Sequence, residues 1–196
     1  MTRRLVLASA SASRLRLLRH AGFDPEVVVS GVAEDGLDHL TVRELVGQLA
    51  VAKASAVAPR VGDALVLGAD SMFEMHGQAL GKPASAEEAA ERWRLMRRAS
   101  GVLHTGHCLV DTAAGRDAVG VVSTVVHFAY VRDDEIDAYV ATGEPLGVAG
   151  GFTLEGRSAP FVEGVEGDPT NVEGLSLPLF RRLLAELDVA VSDLWV

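Results

Sequence analysis

The stretch LVLGADSMFEMHGQALGKP, residues 65–83, decides the kind of sheet that this chain builds. The apolar run ALVLGAD (64–70) predicts a buried strand that ends on the carboxylate of Asp70. The His76-Gly77 pair that follows predicts a hairpin, in which two strands run antiparallel. The hairpin argues against a purely parallel sheet, so we expect a mixed one.

Strand and helix patterns alternate along the rest of the chain. Apolar runs predict further strands at 4–8, 26–30, 102–113, 117–131 and 189–196. Helices are predicted after the first strand as far as Gly22, and over 41–57, 85–100, 132–143 and 176–187. Two of them begin on capping-box patterns, Thr41 with Glu44 and Ser85 with Glu88. The alternation predicts an α/β fold with one mixed sheet and flanking helices.

Size and composition favour one globular domain. The chain has 196 residues, 48% of them hydrophobic and 23% charged. Its formal net charge of −9 argues against a large nucleic-acid-binding face. No apolar run has the length of a bilayer span, and the N-terminal apolar stretch is too short for a secretory signal. We expect a soluble, intracellular protein with no membrane or nucleic-acid partner, folded as one domain (1–196) of two lobes with a cleft between them.

Cysteine and lysine are scarce in this chain. Cys108 is the only cysteine, so no internal disulfide or cysteine-based zinc cluster can form. We expect an inert buried thiol in a reducing compartment. Of the 18 basic residues only Lys53 and Lys82 are lysines, which leaves 16 arginines. Because arginine serves wherever a solvated cation suffices, the remaining lysines are biased toward sites that need a compact ammonium group.

The segment ASASASR, residues 8–14, joins the first strand to the first helix. At such a junction backbone N–H groups and the helix dipole attract phosphate, and Ser9, Ser11 and Arg14 add hydroxyl and guanidinium donors. The alternative is that a serine before a helix is only a cap, which is the commoner case. The chain contains no G-x-x-x-x-G-K-[ST] sequence, so this junction is not a Walker loop.

Asp70 is the strongest single candidate for chemistry. In α/β sheets the ligand crevice lies at the carboxyl ends of strands, where an acid serves as a base or metal ligand; a turn-forming role is the alternative. Glu34 is a second candidate ligand, with a solvated loop acid as its alternative. Two carboxylates without His or Cys partners favour a hard cation such as Mg²⁺. Lys53 and Lys82 would then offset the charge of a triphosphate while Asp70 activates water.

Other conspicuous side chains are interpreted as structural. His104 and His107 have opposite parity on a predicted strand, so they face opposite sides and form a poor metal pair. Four large helix side chains are assigned to the core rather than to cofactor contacts: Trp93, Met96, Phe180 and Leu183.

These motifs together resemble the Maf nucleotide pyrophosphatases over nearly the whole chain. The matching segments, in the family's order, are LASASASRLRLLRHAG, LAVAKA, GADS with LGKP, SGVLHTGHCLVD, STVVHF, YVATGEP, VAGGFTLEG and GDPTNVEGLSLPL. The resemblance implies the Maf-type mixed α/β fold, similar to that of the inosine triphosphatases, and a cytoplasmic homodimer. It implies hydrolysis of a nucleoside triphosphate to the monophosphate and pyrophosphate with Mg²⁺ or Mn²⁺, removal of noncanonical nucleotides, and a link to arrest of cell division.

The resemblance also assigns roles to individual residues. Asp70 matches the family's proposed catalytic base, with Lys53 and Lys82 as catalytic lysines and Glu34 as a further metal ligand. Substrate binding is expected at Ser9, Ser11 and Arg14. The family's usual Ser-Pro-Arg-Arg appears here as Ser11-Ala12-Ser13-Arg14, without the proline and one of the two arginines.

The choice of base is expected to depend on AGGFTLEG, residues 149–156. Members that prefer 7-methylguanosine triphosphate carry Phe and Glu here, as Phe152 and Glu155 do, whereas pyrimidine-selective members carry glutamine at the position of Glu155. A carboxylate accepts from guanine N1–H and the amino group together, while thymine or uracil suits an amide. We expect Phe152 and Glu155 to bind a guanine-type base. The alternatives are a dTTP- or UTP-selective enzyme, and a Glu155 that only faces solvent.

Two rival functions come from other classes. One is a nucleotide-binding regulator of septum formation without turnover. The other is a haloacid-dehalogenase-like phosphatase, but that requires D-x-D after an early strand, and the first strand here leads into ASAS. The combination of Asp70 with both lysines favours turnover over binding alone.

Overall fold

The computed structural model describes residues 3–33 and 40–196. Its strands are β1 (Leu5–Leu7), β2 (Glu26–Val27), β3 (Leu65–Met75), β4 (Gln78–Leu80), β5 (Ser100–Asp111), β6 (Arg116–Phe128) and β7 (Val162–Glu166). Its α-helices are α1 (Ala12–His20), α2 (Val42–Val57), α3 (Ala86–Met96), α4 (Asp133–Val140), α5 (Pro169–Val172) and α6 (Leu177–Glu186). None of these described helices has the length and apolar character needed to cross a lipid bilayer.

The strands form a mixed sheet. Hydrogen-bonded neighbours follow the order β2-β1-β3-β5-β6-β7, and β4 pairs with β3. β1 is parallel to β2 and β3, whereas the β3–β4 and β6–β7 pairs are antiparallel. In the β3–β4 hairpin His76 has a φ of 52° and Gly77 a φ of 74°, the left-handed pair that a two-residue turn requires. The predicted mixed α/β class is confirmed.

The chain divides into two compact units. Unit 1 comprises residues 1–70, 105–122 and 174–196, and unit 2 comprises residues 71–104 and 123–173. In unit 1 one apolar cluster joins β3 to α1 and α6 through Leu67, Leu18 and Phe180. A second cluster joins α2 to β3 and β5 and includes Val66 and Cys108. Helices therefore pack on strands within unit 1 through two separate apolar layers.

Unit 2 is built around aromatic side chains. The Trp93 ring on α3 makes edge-to-face contacts with Phe128 and Tyr139, at centroid distances of 5.7 and 5.4 Å. Its indole N–H donates to the Gly151 carbonyl at 3.0 Å.

The four helix side chains assigned to the core from sequence are all buried: Trp93, Met96, Phe180 and Leu183.

The only cysteine is a buried thiol, as predicted. Cys108 is 1% exposed. Burial, with a smaller contribution from the negative charge of Asp117, raises the pKa of this thiol from 9.0 to about 12.

Several predicted strand boundaries differ from the structure, among them those of β2, β3 and β6. β2 has two residues instead of 26–30; it lies at the edge of the described sheet, where it pairs with β1. β3 continues past Asp70 to Met75, since its later residues pair with β4 and Phe73 is fully buried. Asp70 therefore lies within a strand, and the prediction that it ends one is wrong.

The predicted last strand, 189–196, is also wrong. Val191–Leu194 forms a 3-10 turn, in which the Asp193 N–H donates to the Ala190 carbonyl at 3.0 Å. Ser and Asp favour such turns over extended backbone. Strand-like pairing in this segment is an isolated bridge between Trp195 and Phe23.

Helix α2 approaches the sheet so closely that side chains are excluded at two glycines. A Cβ at Gly68 on β3 would lie 2.3 Å from the Ala50 carbonyl oxygen and 2.6 Å from the Ala54 nitrogen. A Cβ at Gly106 on β5 would lie 2.1 Å from the Val46 carbonyl oxygen. Because these neighbours are helix backbone atoms, only glycine fits.

Replacing Gly68 with alanine should therefore push α2 away from β3. We expect Gly68→Ala to lower the free energy of unfolding by about 3 kcal/mol, the upper end of overpacking costs, because backbone must move. Urea unfolding followed by circular dichroism measures the change. Gly62→Ala is the matched control, since among the described residues, its two chain neighbours aside, no atom lies within 4 Å of its Cβ position. Equal midpoints for the two variants would contradict the close approach.

Asp111, the last residue of β5, forms an ion pair with Arg3 in unit 1. The Arg3 guanidinium donates to Asp111 from Nη1 at 2.8 Å and from Nη2 at 2.9 Å, and the Asp111 side chain is 4% exposed. The backbone N–H groups of Ala113 and Ala114 donate to Oδ1 at 3.1 Å. The hydrogen bonds from Arg3, followed by those from the backbone, lower the pKa of Asp111 from 3.8 to about 2.

This lowered pKa predicts an acid-dependent loss of stability. The folded-state value lies below the ordinary one, so the contribution of Asp111 is complete above pH 3.8 and disappears as the pH falls through about 2. Asp111→Asn should lower the free energy of unfolding at pH 7 by about 2 kcal/mol and flatten its pH dependence between about pH 4 and 2. Urea unfolding at a series of pH values tests this. Asp24→Asn is the control, because the Asp24 side chain is 61% exposed and pairs with Arg19 instead of Arg3. An unchanged acid limb in Asp111→Asn would refute the expectation.

Candidate active site

Asp70 and Lys53, both singled out from the sequence, form a buried ion pair in unit 1. Lys53 Nζ donates to Asp70 Oδ1 at 2.5 Å. The two side chains are only 12% and 9% exposed. A pair removed from water in this way rarely stabilises a fold more than apolar residues of similar size. Its presence is better explained by chemistry than by stability.

The pair forms because α2 touches β3 just before Asp70. Ala50 and Ala54 of α2 lie against Gly68, and Lys53 lies on the same helix next to Ala54. The position of Gly68, two residues before Asp70 on β3, therefore brings the lysine stem and the carboxylate together. Coulomb attraction in this water-poor environment then holds the carboxylate in one orientation.

Asp70 and Ser9 both lie beyond the carboxyl end of the parallel β1–β3 pairing. The last parallel pair is Leu7 with Leu67, after which the Ala8 N–H donates to the Leu67 carbonyl at 2.8 Å. Ser9 then leads toward α1, while β3 carries Asp70. Although β3 continues to Met75, Asp70 thus lies past the end of its parallel neighbour, where α/β sheets bind ligands.

Arg14 and Ser9 are hydrogen-bonded to each other at the start of α1. Arg14 Nη1 donates to Ser9 Oγ at 3.0 Å, and Nε donates to the Gly174 carbonyl at 2.8 Å. Both Ser9 and Arg14 are buried. Ser11 is the N-cap of α1, where its hydroxyl accepts from the Arg14 N–H at 3.4 Å. The capping alternative for Ser11 is thus observed, and its role in substrate binding stays a prediction.

Lys82 and Glu34 are the two remaining residues that the sequence predicted to handle phosphate or metal. Lys82 is exposed in unit 2, in the segment between β4 and α3. The carbonyl of the preceding Gly81 accepts from Arg92 Nη1 at 2.6 Å and from the Gly150 N–H at 3.1 Å, which fixes this segment. Glu34 lies outside the described residues. The roles of Lys82 and Glu34 stay predictions.

Glu155 lies exposed in a tight loop of unit 2. Ser158 Oγ accepts from the Thr153 N–H at 2.8 Å and donates to the Thr153 carbonyl at 3.0 Å. Glu144 Oε1 accepts from Thr153 Oγ1 at 3.0 Å and from the Arg157 N–H at 2.9 Å. Sequence reasoning did not single out Glu144 and Ser158. Glu144 reaches the loop from 9 residues before Thr153 and 13 residues before Arg157, and Ser158 acts through a contact inside the loop.

Phe152 is buried, whereas Glu155 is exposed. The Phe152 ring is 3% exposed and makes edge-to-face contacts with Phe73 and Phe128, at 5.1 and 5.0 Å between centroids. The aromatic core of unit 2 thus anchors the segment that leads to Glu155. A direct contact of Phe152 with substrate stays a prediction.

The two histidines on β5 both make hydrogen bonds inside the protein. His104 Nδ1 lies 2.8 Å from Ser123 Oγ, and His104 Nε2 lies 3.1 Å from Glu74 Oε2. His107 contacts the backbone of Thr105 and Ser176. Within residues 3–33 and 40–196 no group of three or more His, Cys, Asp and Glu side chains is arranged to hold a metal ion.

The donor set at Asp70 nevertheless fits a hard divalent cation. Mg²⁺ is commonly held by one or two carboxylates together with phosphate oxygens of the substrate, and Asp70 supplies one carboxylate. Such a site needs no cage of three protein ligands. It would be completed by the substrate.

Comparison with known proteins gives one family over almost the entire chain. The family model of the Maf-like proteins matches residues 4–187. A nucleoside triphosphate pyrophosphatase of Streptomyces coelicolor is 60% identical over 195 residues, covering 98% of this chain and 95% of that protein. One from Salinispora tropica is 56% identical over 197 residues, with 98% and 87% covered. One from Gloeothece citriformis is 48% identical over 195 residues, with 100% of both chains covered.

The matched region includes the Lys53–Asp70 ion pair, the Ser9–Arg14 junction and the loop that carries Glu155. Both the extent of the match and the level of identity agree with the motifs read from the sequence. This chain belongs to the Maf-like protein family.

Proposed function

We propose that this chain is a nucleoside triphosphate pyrophosphatase, which hydrolyses a nucleoside triphosphate to the monophosphate and pyrophosphate. The observation that carries the proposal is the buried Lys53–Asp70 ion pair, beyond the carboxyl end of the β1–β3 pairing. Relatives that are 48 and 60% identical to this chain are named nucleoside triphosphate pyrophosphatases.

In the proposed reaction water attacks the α-phosphorus. The bond between this phosphorus and the oxygen that bridges to the β-phosphorus breaks, and pyrophosphate leaves. Asp70 accepts the proton from the attacking water, in the orientation that Lys53 gives its carboxylate. The ammonium group of Lys53 also offsets negative charge that develops on the phosphates.

The other predicted residues complete this assignment. We assign phosphate binding to Arg14, Ser9 and Ser11, at the junction of β1 and α1, and phosphate handling to Lys82. Asp70 and Glu34 would hold a divalent cation, Mg²⁺ or Mn²⁺. When bound, such a cation would neutralise charge on the phosphate oxygens.

Loss of the base should abolish pyrophosphate release without unfolding the protein. With Mg²⁺ or Mn²⁺ and a panel of triphosphates, we expect Asp70→Asn to lower kcat about a thousandfold, as expected for removal of a general base. Pyrophosphate and orthophosphate are assayed separately. Asp24→Asn is the control, because its exposed side chain pairs with Arg19 at the surface, and it should retain full activity.

The outcomes of this assay separate the competing functions. Orthophosphate as the sole product would reject attack at the α-phosphorus. Tight triphosphate binding with no release of pyrophosphate would favour a regulator of septum formation that only binds nucleotide. Full activity in Asp70→Asn would remove Asp70 from the mechanism, and full activity in the presence of excess EDTA would remove the cation.

Glu155 is proposed to select a guanine-type base, with 7-methylguanosine triphosphate as the model substrate. Its exposed position in a loop fixed by Glu144 and Ser158 supports this assignment. A carboxylate can pair with guanine N1–H and the amino group together, whereas an amide suits thymine or uracil. The alternative is a dTTP- or UTP-selective enzyme.

Changing Glu155 to glutamine should therefore shift substrate preference. We expect Glu155→Gln to change the ratio of kcat/KM for 7-methylguanosine triphosphate over dTTP by about a hundredfold in favour of dTTP, since the site's paired donors and acceptors are altered. Glu163→Gln, an exposed acid on β7, is the matched control. An unchanged ratio in Glu155→Gln would refute the assignment, and a wild-type preference for dTTP would support the alternative.

Three further parts of the proposal derive from the family resemblance. We infer a homodimer, which analytical ultracentrifugation tests. We infer a cytoplasmic location, which the unpaired buried thiol of Cys108 suits. We also infer removal of noncanonical nucleotides and a link to arrest of cell division, and the inactive Asp70→Asn variant separates a division effect that needs catalysis from one that does not.

A further inference from the structure

His107 is a fully buried histidine of unit 1 that the proposed mechanism does not use. Its Nε2 lies 2.8 Å from the backbone nitrogen of Ser176, and its Nδ1 lies 3.2 Å from the Thr105 carbonyl oxygen. A backbone N–H only donates and a carbonyl only accepts. The hydrogen must therefore reside on Nδ1, while Nε2 accepts the Ser176 N–H.

The backbone held by His107 begins helix α6. Ser176 is the N-cap of α6, and its hydroxyl accepts from the Leu179 N–H at 3.1 Å. Gly174, two residues earlier, has a φ of +103°, a left-handed conformation that favours glycine. The imidazole therefore fixes the end of a short segment, 174–176, whose backbone path is sharply defined.

The other end of this segment contacts Arg14. The Gly174 carbonyl accepts from Arg14 Nε at 2.8 Å, while Arg14 Nη1 donates to Ser9 Oγ at 3.0 Å. Two hydrogen bonds from different nitrogens of one planar guanidinium define the orientation of its plane. A displacement of the Gly174 carbonyl would thus rotate Arg14 and shift its contact with Ser9.

We propose that His107 is a positioning residue for triphosphate binding: through Ser176 and Gly174 it sets the orientation of the Arg14 guanidinium. The inference depends on the proposed phosphate-binding role of Arg14. Without the imidazole acceptor the Ser176 N–H has lost a hydrogen bond in the protein interior, which costs more than the bond itself contributed. Segment 174–176 then moves to satisfy that group, and Arg14 moves with it.

Two substitutions of His107 separate positioning from packing. In His107→Gln the side-chain oxygen occupies the position of Nε2 and can still accept from the Ser176 N–H. His107→Leu retains a side chain of similar volume but has no hydrogen-bond acceptor. We expect His107→Leu to raise KM for the triphosphate about tenfold with kcat changed less than about twofold, because ground state and transition state lose the same contact. His107→Gln should restore KM to near the wild-type value. His20→Gln, exposed at the end of α1, is the control and should change neither constant.

A double-mutant cycle tests whether the effect passes through Arg14. In the Arg14→Gln background His107→Leu should raise KM no further, since the group that it positions is gone. Additive losses in the double variant, or an unchanged KM in His107→Leu, would overturn the proposal. If His107→Leu does not fold, as judged by circular dichroism, His107→Asn replaces it, because its shorter side chain does not reach Ser176.

Binding of inorganic pyrophosphate, measured by calorimetry on the same proteins, keeps this inference distinct from the proposed function. A wild-type protein that binds pyrophosphate but releases none from triphosphates contradicts the proposed function alone. Affinity lowered by His107→Leu, restored by His107→Gln and insensitive to His107 in the Arg14→Gln background would still support the positioning role. Equal affinities in the wild type, His107→Leu and His107→Gln, or no binding by the wild type, would overturn it.

Discussion

The close approach of α2 to β3 is the constraint on which the candidate site depends. At Gly68 the strand lies so near the helix backbone at Ala50 and Ala54 that a Cβ does not fit. Lys53 adjoins Ala54 on the helix, and Asp70 follows Gly68 on the strand, so the contact that packs unit 1 also joins ammonium to carboxylate at 2.5 Å. One small residue thus sets both the packing of a layer and the geometry of the reactive groups.

The sequence allowed the fold to be predicted wherever a short segment contains its own determinants. The capping box of α2 formed as predicted, with Glu44 Oε2 accepting from the Thr41 N–H at 2.9 Å. At α3 Ser85 caps the helix as predicted, but the Glu88 carboxylate accepts from the Ala84 N–H instead of closing the box. The hairpin at His76-Gly77 formed because both residues adopt left-handed backbone. Elements whose ends depend on distant partners were harder to predict. β3 passes Asp70 because β4 pairs with it. The segment 189–196 turns at Val191–Leu194, where Ser192 and Asp193 favour a turn over extended backbone.

Within the candidate site, the sequence indicated which residues are candidate reactive groups but not which contacts they make. Asp70 and Lys53 could be singled out because an acid after an apolar run and a rare lysine are visible in the sequence. The contacts of Arg14 with Gly174 and of His107 with Ser176 join positions 160 and 69 residues apart. The alternation of side chains along a strand indicates on which face of the sheet His107 lies, but not which backbone group it contacts there. Such contacts arise only from tertiary packing.

Because Cys108 is buried between β5 and α2, its reaction with a thiol reagent requires local opening of this part of unit 1. The thiol is 1% exposed and has a pKa of about 12, and only the thiolate reacts with disulfide or alkylating reagents. Since the chain has one cysteine, modification by such a reagent has a single origin. The rate of modification therefore reflects how often β5 and α2 separate transiently. A bound ligand that stabilises their contact would slow the modification without contacting the sulfur.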